Sequence, residues 1–376
     1  MKLSVVSPHV PEREGTAAGK VLMAWCEGAR SLGHEVELWC WDRPVYPPKG
    51  EIPPWCRYEP FETVTGAMWR EHARSVLRPR WGLARAGWEP ADGAVAVADD
   101  PSSYPAVAHL DSPVVTFYCR SAADALAVRQ PRPSTVQLER SERRASRGAS
   151  LSLVYSPRVG RALPGRKRYV PVAYPVPAAA LEPVDEPVAM MMADWLWPPN
   201  RFALARLMKA WPEVRASVPA AQLLLAGRNL PRGLGELAGV KALGEVASSV
   251  DVLSQASVLA FPCPNSSGPK VKVLEALSHG LPVVTTPAGV EGLRLGSGDG
   301  AVVGELGDFA ANLAALLKDP EQRAALGKAG RAAIEVGHSP LVSARALLDA
   351  ISEVGPGAPG NRWLPGLSSR RGSAGG

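Results

Sequence analysis

The sequence predicts an α/β protein that contains two doubly wound parallel sheets. In each half of the chain, short apolar runs of the kind found in strands buried on both faces alternate with segments of helical periodicity. A proline-rich stretch, residues 169–187, separates the two halves, and repeated proline prevents a helix there. The 376 residues also exceed the roughly 250–300 residues that one hydrophobic core usually serves. Two domains are therefore expected.

The first half opens with a strand, a helix and a second strand. Residues 3–7 form an apolar run, residues 20–32 have helical periodicity, and Gly33 ends that helix before a strand at 34–39. A strand, a crossover helix and a strand imply parallel pairing with a right-handed connection. Further strands are predicted at 93–98, 113–118 and 151–155, and an irregular excursion rich in Pro and Trp at 42–60.

The second half repeats the alternation after the proline-rich stretch. Predicted strands lie at 188–192, 222–226, near 240, at 258–261 and at 282–285, with helices at 200–211, 248–256 and 270–279. Three closing helices are predicted at 310–318, 321–336 and 341–354. The predicted domains are a first domain over 1–170 and a second domain over 184–338, joined by a linker over 171–183. A closing helix over 339–354 could pack back on the first domain. The Gly/Pro/Ser-rich tail over 355–376 is expected to be disordered.

The net charge of +6 lies entirely in the first half. Residues 1–170 hold 24 Lys+Arg and 18 Asp+Glu, a difference of +6, and the remaining 18 and 18 cancel. Two basic runs, residues 140–147 and 166–168, contribute to it. They fit either an ordinary solvated surface or a surface for an anionic acceptor or anionic lipid, with peripheral membrane contact. No recognition motif accompanies the charge, so a nucleic-acid partner is not expected.

Other classes of protein and site are excluded by simple counts. The chain has no apolar run of about 18 residues, which argues against a membrane span and favours a cytoplasmic location. Five scattered cysteines without a C-x-x-C pair argue against a disulfide framework and a zinc site. The adjacent Asp99 and Asp100 are interpreted as a solvated strand end, and no metal site is predicted.

A loop after the predicted strand at 258–261 runs into a helix and has the features of an anion site. Gly268 precedes Pro269, which suits the first helical position, and Lys270 and Lys272 follow in the first turn. Cations are disfavoured at a helix N-terminus, so a bound phosphate would explain them. Glu275, one turn later, could accept hydrogen bonds from sugar hydroxyls. The alternative is a surface Lys272–Glu275 ion pair with Lys270 solvated.

The run from 266 to 293 closely resembles the signature of the retaining, nucleotide-sugar-dependent glycosyltransferases of family 4 (glycosyltransferase group 1), which have the GT-B fold of two Rossmann-like domains facing across a cleft. Residues 197–201 (WPPNR), 222–227 (QLLLAG) and 240–246 (VKALGEV) resemble further family elements, with Ala193 where glycine is usual. In the first domain the resemblance is looser and rests on the loop at 11–19 and on Gly33-His-Glu-Val36.

The resemblance implies roles for individual residues. Glu275 would hold the nucleotide ribose, Lys270 would hold the diphosphate, and Asn200 or Arg201 would reach the same phosphates from the opposite loop. Further contacts to the nucleotide are implied for Gly268, Val271, Gly227, Arg228, Gly244 and Val246, and acceptor contacts in the first domain are expected from His9, Gly15 and Thr16.

The predicted function is transfer of a sugar from a nucleotide-diphosphate-sugar to an acceptor hydroxyl, with retention and without a metal or separate cofactor. The first domain would bind the acceptor, a small molecule, a glycan or a lipid-linked sugar, and the second domain would bind the donor. Ser267 stands where many members carry a glutamate, so donor identity stays open. Two alternatives remain: a nucleotide-sugar epimerase on the same fold, and a non-catalytic glycosyltransferase-like partner subunit.

Overall fold

The computed structural model of the chain describes residues 1–12, 15–41, 48, 50–59, 88–117, 133–264, 268–296 and 298–354. Within these ranges the chain forms two parallel β-sheets with helices packed against them, which confirms the predicted fold class. The predicted tail at 355–376 and Ser267 lie outside the described residues.

The first sheet has seven parallel strands in the order β3-β2-β1-β4-β5-β6-β7. The order reverses between β1 and β4, as in a doubly wound sheet. Its strands are β1 Lys2–Ser7, β2 Glu35–Cys40, β3 Cys56–Tyr58, β4 Val95–Asp99, β5 Val114–Phe117, β6 Leu151–Val154 and β7 Lys167–Tyr169.

The second sheet has six parallel strands in the order β10-β9-β8-β11-β12-β13, with the reversal between β8 and β11. Its strands are β8 Val188–Met192, β9 Gln222–Ala226, β10 Val240–Gly244, β11 Val258–Phe261, β12 Val283–Thr285 and β13 Ala301–Val303.

The helices of the described residues follow the strands in the expected alternation. They are α1 Ala17–Ser31, α2 Tyr104–Val107, α3 Pro133–Gly148, α4 Pro157–Ala162, α5 Pro198–Ser217, α6 Val250–Leu253, α7 Val271–Ser278, α8 Phe309–Lys318, α9 Pro320–His338 and α10 Pro340–Ser352. None of these helices has both the length and the apolar composition needed to cross a membrane.

Helix α10, at the end of the described chain, packs against α1 of the first domain. The two helices approach so closely that a β-carbon at Gly28 would lie 2.2 Å from the carbonyl oxygen of Pro340. Trp25 in α1 is 1% exposed, and burial of a large apolar side chain of this kind stabilises the fold by about 1.5–3 kcal/mol. Chain from beyond the second sheet therefore helps to cover the first.

Some elements differ from the sequence predictions. The three-residue strands β3, β7 and β13 were not predicted, and β3 lies inside the stretch at 42–60 that was interpreted as irregular. Helix α5 continues to Ser217 past an internal Pro212, and α6 is shorter than predicted. Trp211, next to this proline, is buried in the core, and its indole N–H donates to Ala238 O at 3.1 Å.

Candidate functional site

Polar residues cluster at the carboxyl ends of the strands that flank each sheet reversal. In open α/β sheets, ligands bind at this position because the loops diverge and leave a crevice. In the second sheet the relevant loops follow β8, β9 and β11, and in the first sheet they follow β1 and β4. These are the loops in which the sequence places its candidate residues.

Glu275 is a buried charged group of this region. It lies on α7, is 8% exposed, and its Oε1 accepts a hydrogen bond from Ser249 Oγ at 2.7 Å. The same oxygen lies 2.7 Å from Nζ of Lys20, which belongs to α1 of the first domain. The carboxylate therefore joins the two domains through an ion pair of which each side chain is 10% exposed.

The environment of Glu275 keeps it ionised. Burial by itself would raise the pKa of this carboxyl, but the charge of Lys20 and hydrogen bonds from Lys20, Ser249 and the Tyr174 hydroxyl lower the pKa below its usual value. Loss of one member of such a pair typically costs about 3–5 kcal/mol, because the remaining buried charge is left uncompensated. Glu275 is therefore an acceptor group that is fixed in place before any ligand arrives.

Lys272 turns inward from α7 and meets the loop after β8. Its Nζ donates to Asn200 Oδ1 at 2.9 Å and lies 4.6 Å from the centre of the Phe261 ring. Burial, with a smaller contribution from Lys270, lowers the pKa of Lys272 to about 8, and the neighbouring Cys263 and Glu275 partly oppose this shift. The sequence alternative of a surface Lys272–Glu275 ion pair is therefore wrong, since Lys272 binds Asn200 and Glu275 binds Lys20.

Lys270 has a more local role in this structure than Lys272. It is the N-cap residue of α7, so the helix begins at Val271, and the expected placement of Pro269 at the first helical position is wrong. Nζ of Lys270 folds back to donate to the carbonyl oxygen of Gly268 at 2.6 Å. Gly268 has a φ of 138°, which lets the loop turn sharply into the helix.

The loop after β8 is held against the loop after β9 by a network of hydrogen bonds. Trp195 Nε1 donates to Ala226 O at 2.9 Å, and Asn200 Nδ2 donates to Asp194 O at 2.9 Å. Gly227 has a φ of 110°, and a β-carbon there would lie 1.9 Å from Ala193 O. Only glycine permits this approach, and Asn200 is thereby positioned for Lys272.

The other nucleotide contacts expected from the resemblance lie along the same edge. Gly227 N donates to Gly244 O at 2.6 Å, which brings the ends of β9 and β10 together. Arg228 O accepts from Trp195 N at 3.0 Å, and Val246 is partly buried against the core. Arg201 is exposed on the first turn of α5, so of the two candidates in that turn it is Asn200 that contacts Lys272.

The three acceptor candidates of the first domain lie around the start of α1 and the end of β1. Thr16 caps α1, with Oγ1 accepting from Gly19 N at 3.1 Å. Gly15 packs against the buried Glu12. The ring of His9 lies 3.9 Å from Asp100 Oδ2 and is 16% exposed. His9 is thus the candidate that combines a titratable group with a position at the sheet reversal.

Asp99 corrects the interpretation of a solvated strand end. It is 8% exposed, and its two oxygens accept from Ser7 Oγ and Thr116 Oγ1, each at 2.8 Å. Burial raises the pKa of this carboxyl, although His9 and the two hydroxyls oppose that shift. The sequence signal was present, since Ser7 and Thr116 lie on the strands that flank β4.

Lys20, Ser249 and Tyr174 are the site residues that the sequence analysis missed. Lys20 lies in the first turn of α1, the end at which a cation is disfavoured, so the argument applied to Lys270 also indicates Lys20. No comparable signal marks Ser249 or Tyr174, because their importance depends on contact with Glu275. No group of three metal-binding side chains occurs in the ranges that the structure covers.

The second domain matches the model of a known family. Residues 186–319, which contain Asn200, Gly227, Ser249, Lys272 and Glu275, match the family described as "Glycosyl transferases group 1". The match lies in the second domain and covers just over a third of the chain. The predicted resemblance is thereby confirmed at the level of the group.

Part of the chain is also similar to an individual protein of known activity. A GDP-mannose-dependent monoacylated alpha-(1-6)-phosphatidylinositol monomannoside mannosyltransferase from Corynebacterium glutamicum is 33% identical over 147 residues, which cover 34% of this chain and 38% of that protein. The match thus spans less than half of the curated relative.

Solved structures resemble the whole chain. Sucrose-phosphate synthase from Thermosynechococcus elongatus has a TM-score of 0.69 at 16% identity, with 94% of this chain and 98% of that chain covered. HepE from Anabaena, in complex with UDP and glucose, has a TM-score of 0.66 at 14% identity, with 93% and 99% covered. At these identities the likeness establishes the GT-B fold and nothing finer.

Proposed function

We propose that the chain is a retaining glycosyltransferase that transfers a sugar from a nucleotide-diphosphate-sugar to an acceptor hydroxyl. The observation that carries the proposal is the presence, at one sheet reversal, of a buried ionised carboxylate, Glu275, and a half-buried lysine, Lys272, less than one helical turn away. A carboxylate accepts hydrogen bonds from a vicinal diol, and an ammonium held by an amide oxygen binds an anion. A nucleoside diphosphate carries both groups.

The proposed donor site assigns the diphosphate to Lys272 and the N-terminus of α7. Lys272 has an uncharged partner in Asn200, so its charge remains available to an anion. The first backbone N–H groups of α7 point in the same direction and add the positive end of the helix dipole. Lys270, which donates to Gly268 O, would be a secondary contact that swings out when phosphate binds. Glu275 would hold the ribose.

The proposed reaction needs no protein nucleophile. The bond between the anomeric carbon and the β-phosphate oxygen breaks, and the acceptor oxygen forms its new bond on the same face. The acceptor proton passes to the departing phosphate oxygen, so the products are a glycoside and a nucleoside diphosphate. The protein's contribution is to position the two substrates and to stabilise the negative charge that grows on the leaving group, through Lys272 and the α7 amides.

The acceptor is proposed to bind the first domain near His9, with the basic helix α3 as an outer surface for an anionic or lipid-linked acceptor. Arg140, Arg144 and Arg147 are exposed on α3. The second basic run is partly neutralised, because Glu353 forms ion pairs with Arg166 and Arg168.

A thermal-shift panel of UDP, GDP, dTDP and ADP tests the donor half of the proposal. GDP and UDP are compared first, since the mannosyltransferase relative is named as GDP-mannose-dependent and HepE contains UDP. A ligand at about 100 times its dissociation constant adds about 2.7 kcal/mol of stability. Calorimetric titration of the best nucleotide should then show weak or absent binding in Glu275→Gln and Lys272→Met. Glu321→Gln, an exposed carboxylate on α9, is the matched control.

Incubation of the purified chain with the matching nucleotide-sugar separates the remaining interpretations. Slow release of free sugar with the original anomeric configuration, read by NMR, supports a retaining transferase. Conversion of the donor to a stereoisomer at another carbon would indicate an epimerase, and binding without turnover would indicate a non-catalytic subunit. No stabilisation by any of the four nucleotides would refute the proposal.

A further inference from the structure

The ion pair between Lys20 and Glu275 occupies the carboxylate that the proposed function assigns to the ribose. Lys20 Nζ lies 2.7 Å from Glu275 Oε1 and 3.4 Å from Ser249 Oγ, and Ser249 donates to the same carboxylate oxygen. The two charged side chains lie on different domains, 255 residues apart in sequence. They form a contact that exists only while α1 and α7 face each other closely.

The burial of this pair prevents a ligand from reaching the carboxylate. Both side chains are 10% exposed, so a ribose hydroxyl cannot reach Glu275 until the Lys20 side chain has moved. Oε1 already accepts two hydrogen bonds, and a vicinal diol that binds a carboxylate in a bidentate manner needs one lone pair from each oxygen. Lys20 and the diol are therefore alternatives at the same acceptor.

We propose that the Lys20–Glu275 ion pair is an autoinhibitory latch between the two domains, which the nucleotide ribose opens by replacing Lys20 on Glu275. This inference rests on the proposed function, because it requires that Glu275 is the ribose acceptor. The nucleotide then has to compete with Lys20 for Glu275. Its observed affinity is therefore lower than its affinity for a site without the ion pair, by a factor set by the equilibrium between the closed and open latch.

Removal of Lys20 should strengthen nucleotide binding, whereas removal of a residue that contacts the nucleotide should weaken it. In Lys20→Met the aliphatic stem is retained and the charge is lost. The pKa of Glu275 then rises, because its main pKa-lowering partner is gone, but Ser249 and Tyr174 still donate to the carboxylate. The diol of the ribose then supplies the missing hydrogen bonds. We expect the dissociation constant of the nucleotide to fall by at least roughly fivefold, within the range typical of coupling between sites. A lysine that contacts the nucleotide directly would give weaker binding instead.

Two controls isolate the latch from general loosening of the domains. Tyr169→Phe removes another hydrogen bond between the domains, from the Tyr169 hydroxyl to Gly292 O at 2.9 Å, without touching Glu275. Its nucleotide affinity should equal that of the wild type. The second control is the 2′,3′-dideoxy form of the nucleotide, which has no diol to bind Glu275, so Lys20→Met should give it no gain.

The decisive experiment is calorimetric titration of the best nucleotide and its dideoxy form into wild type, Lys20→Met and Tyr169→Phe, with circular dichroism to verify folding. Tighter binding confined to Lys20→Met and to the nucleotide with a diol supports the latch. Unchanged or weaker binding in Lys20→Met, or an equal gain in Tyr169→Phe, overturns it while leaving the proposed function intact. Absence of nucleotide binding in every variant refutes the proposed function itself.

Discussion

His338 should make the stability of the protein depend on pH between about 4 and 6.5. The imidazole is fully buried at the end of α9, with Nδ1 2.9 Å from Val172 O and Nε2 3.0 Å from the backbone N–H of Arg294. The Arg294 N–H can only donate, so Nε2 must accept and Nδ1 must carry the proton. The neutral ring is therefore satisfied at both nitrogens, and a second proton would face an N–H group.

The size of the effect follows from the pKa. Burial, aided by the charge of Arg294, lowers the pKa of His338 to about 4 from 6.5, although the bond to Val172 opposes this shift. The unfolded chain thus binds one more proton than the folded protein between these values. Stability from this group is complete above pH 6.5 and is lost as the pH falls toward 4. A difference of 2.5 pKa units corresponds to about 3 kcal/mol at 1.36 kcal/mol per unit.

Replacement of His338 by Asn tests this calculation. The amide keeps a donor for Val172 O and removes the titrating group. The free energies of unfolding of wild type and variant are measured by urea denaturation at several pH values. The difference between the two proteins should be about 2 kcal/mol smaller at pH 5 than at pH 7.5, because pH 5 lies 1.5 pH units below the unfolded pKa of 6.5. Other acid-titrating groups cancel in this difference. His109→Asn, at an exposed position, is the control. A wild-type advantage that stays constant from pH 7.5 to 5 would refute the reasoning.

Four further outcomes are expected. The nucleoside diphosphate should bind wild type roughly fivefold more weakly at pH 9 than at pH 8, because Lys272, with a pKa of about 8, loses its charge between these pH values. If calorimetric titration of Lys272→Arg shows the same decline, Lys272 is not its cause. In urea denaturation, Gly227→Ala should lower the free energy of unfolding by at least about 2 kcal/mol more than Gly244→Ala. Both glycines have positive φ, but only the β-carbon added at position 227 would clash, with Ala193. Equal losses of stability would contradict the steric explanation. Sugar transfer, followed by product formation, should persist in excess EDTA, and loss restored by Mg²⁺ or Mn²⁺ would mean that the diphosphate needs a metal. The KM of an anionic acceptor should rise with NaCl, and less so in Arg144→Ala, because exposed charges are screened beyond about 8 Å at physiological ionic strength; a flat KM would leave the α3 surface as ordinary solvation.

The buried strands were predictable because their composition leaves few alternatives. The strands at 188–192 and 258–261 are continuous apolar runs, the strand at 222–226 is apolar after its first residue, and the structure gives all three the predicted bounds. The edge strand Lys167–Tyr169 reads KRY and has no apolar signal. Its assignment depends on pairing with β6, a contact between segments that no local pattern encodes.

Some features of the site follow from short sequence motifs, and others depend on contacts between distant segments. The loop into α7 and the glycine turn at Gly227 follow from short motifs, because a helix N-terminus and a positive φ are local requirements. The different partners of Lys270 and Lys272, which are Gly268 O and Asn200 Oδ1, depend on how the loop after β8 lies against α7, and a local motif does not contain that information. The pairing of Lys20 with Glu275 depends on how two separate domains face each other, and no spacing in one domain could predict it.

The segment between the sheets contacts both Glu275 and His338. Tyr174 donates its hydroxyl to Glu275, and its backbone N–H donates to His338 O at 2.8 Å. The ring of His338 is bound in turn to Val172, two residues before Tyr174. Glu275 thus accepts from the first domain through Lys20, from this connecting segment through Tyr174 and from its own domain through Ser249. A rotation of the domains about this segment would move Lys20 relative to Glu275, so the Lys20–Glu275 ion pair and the angle between the domains are linked.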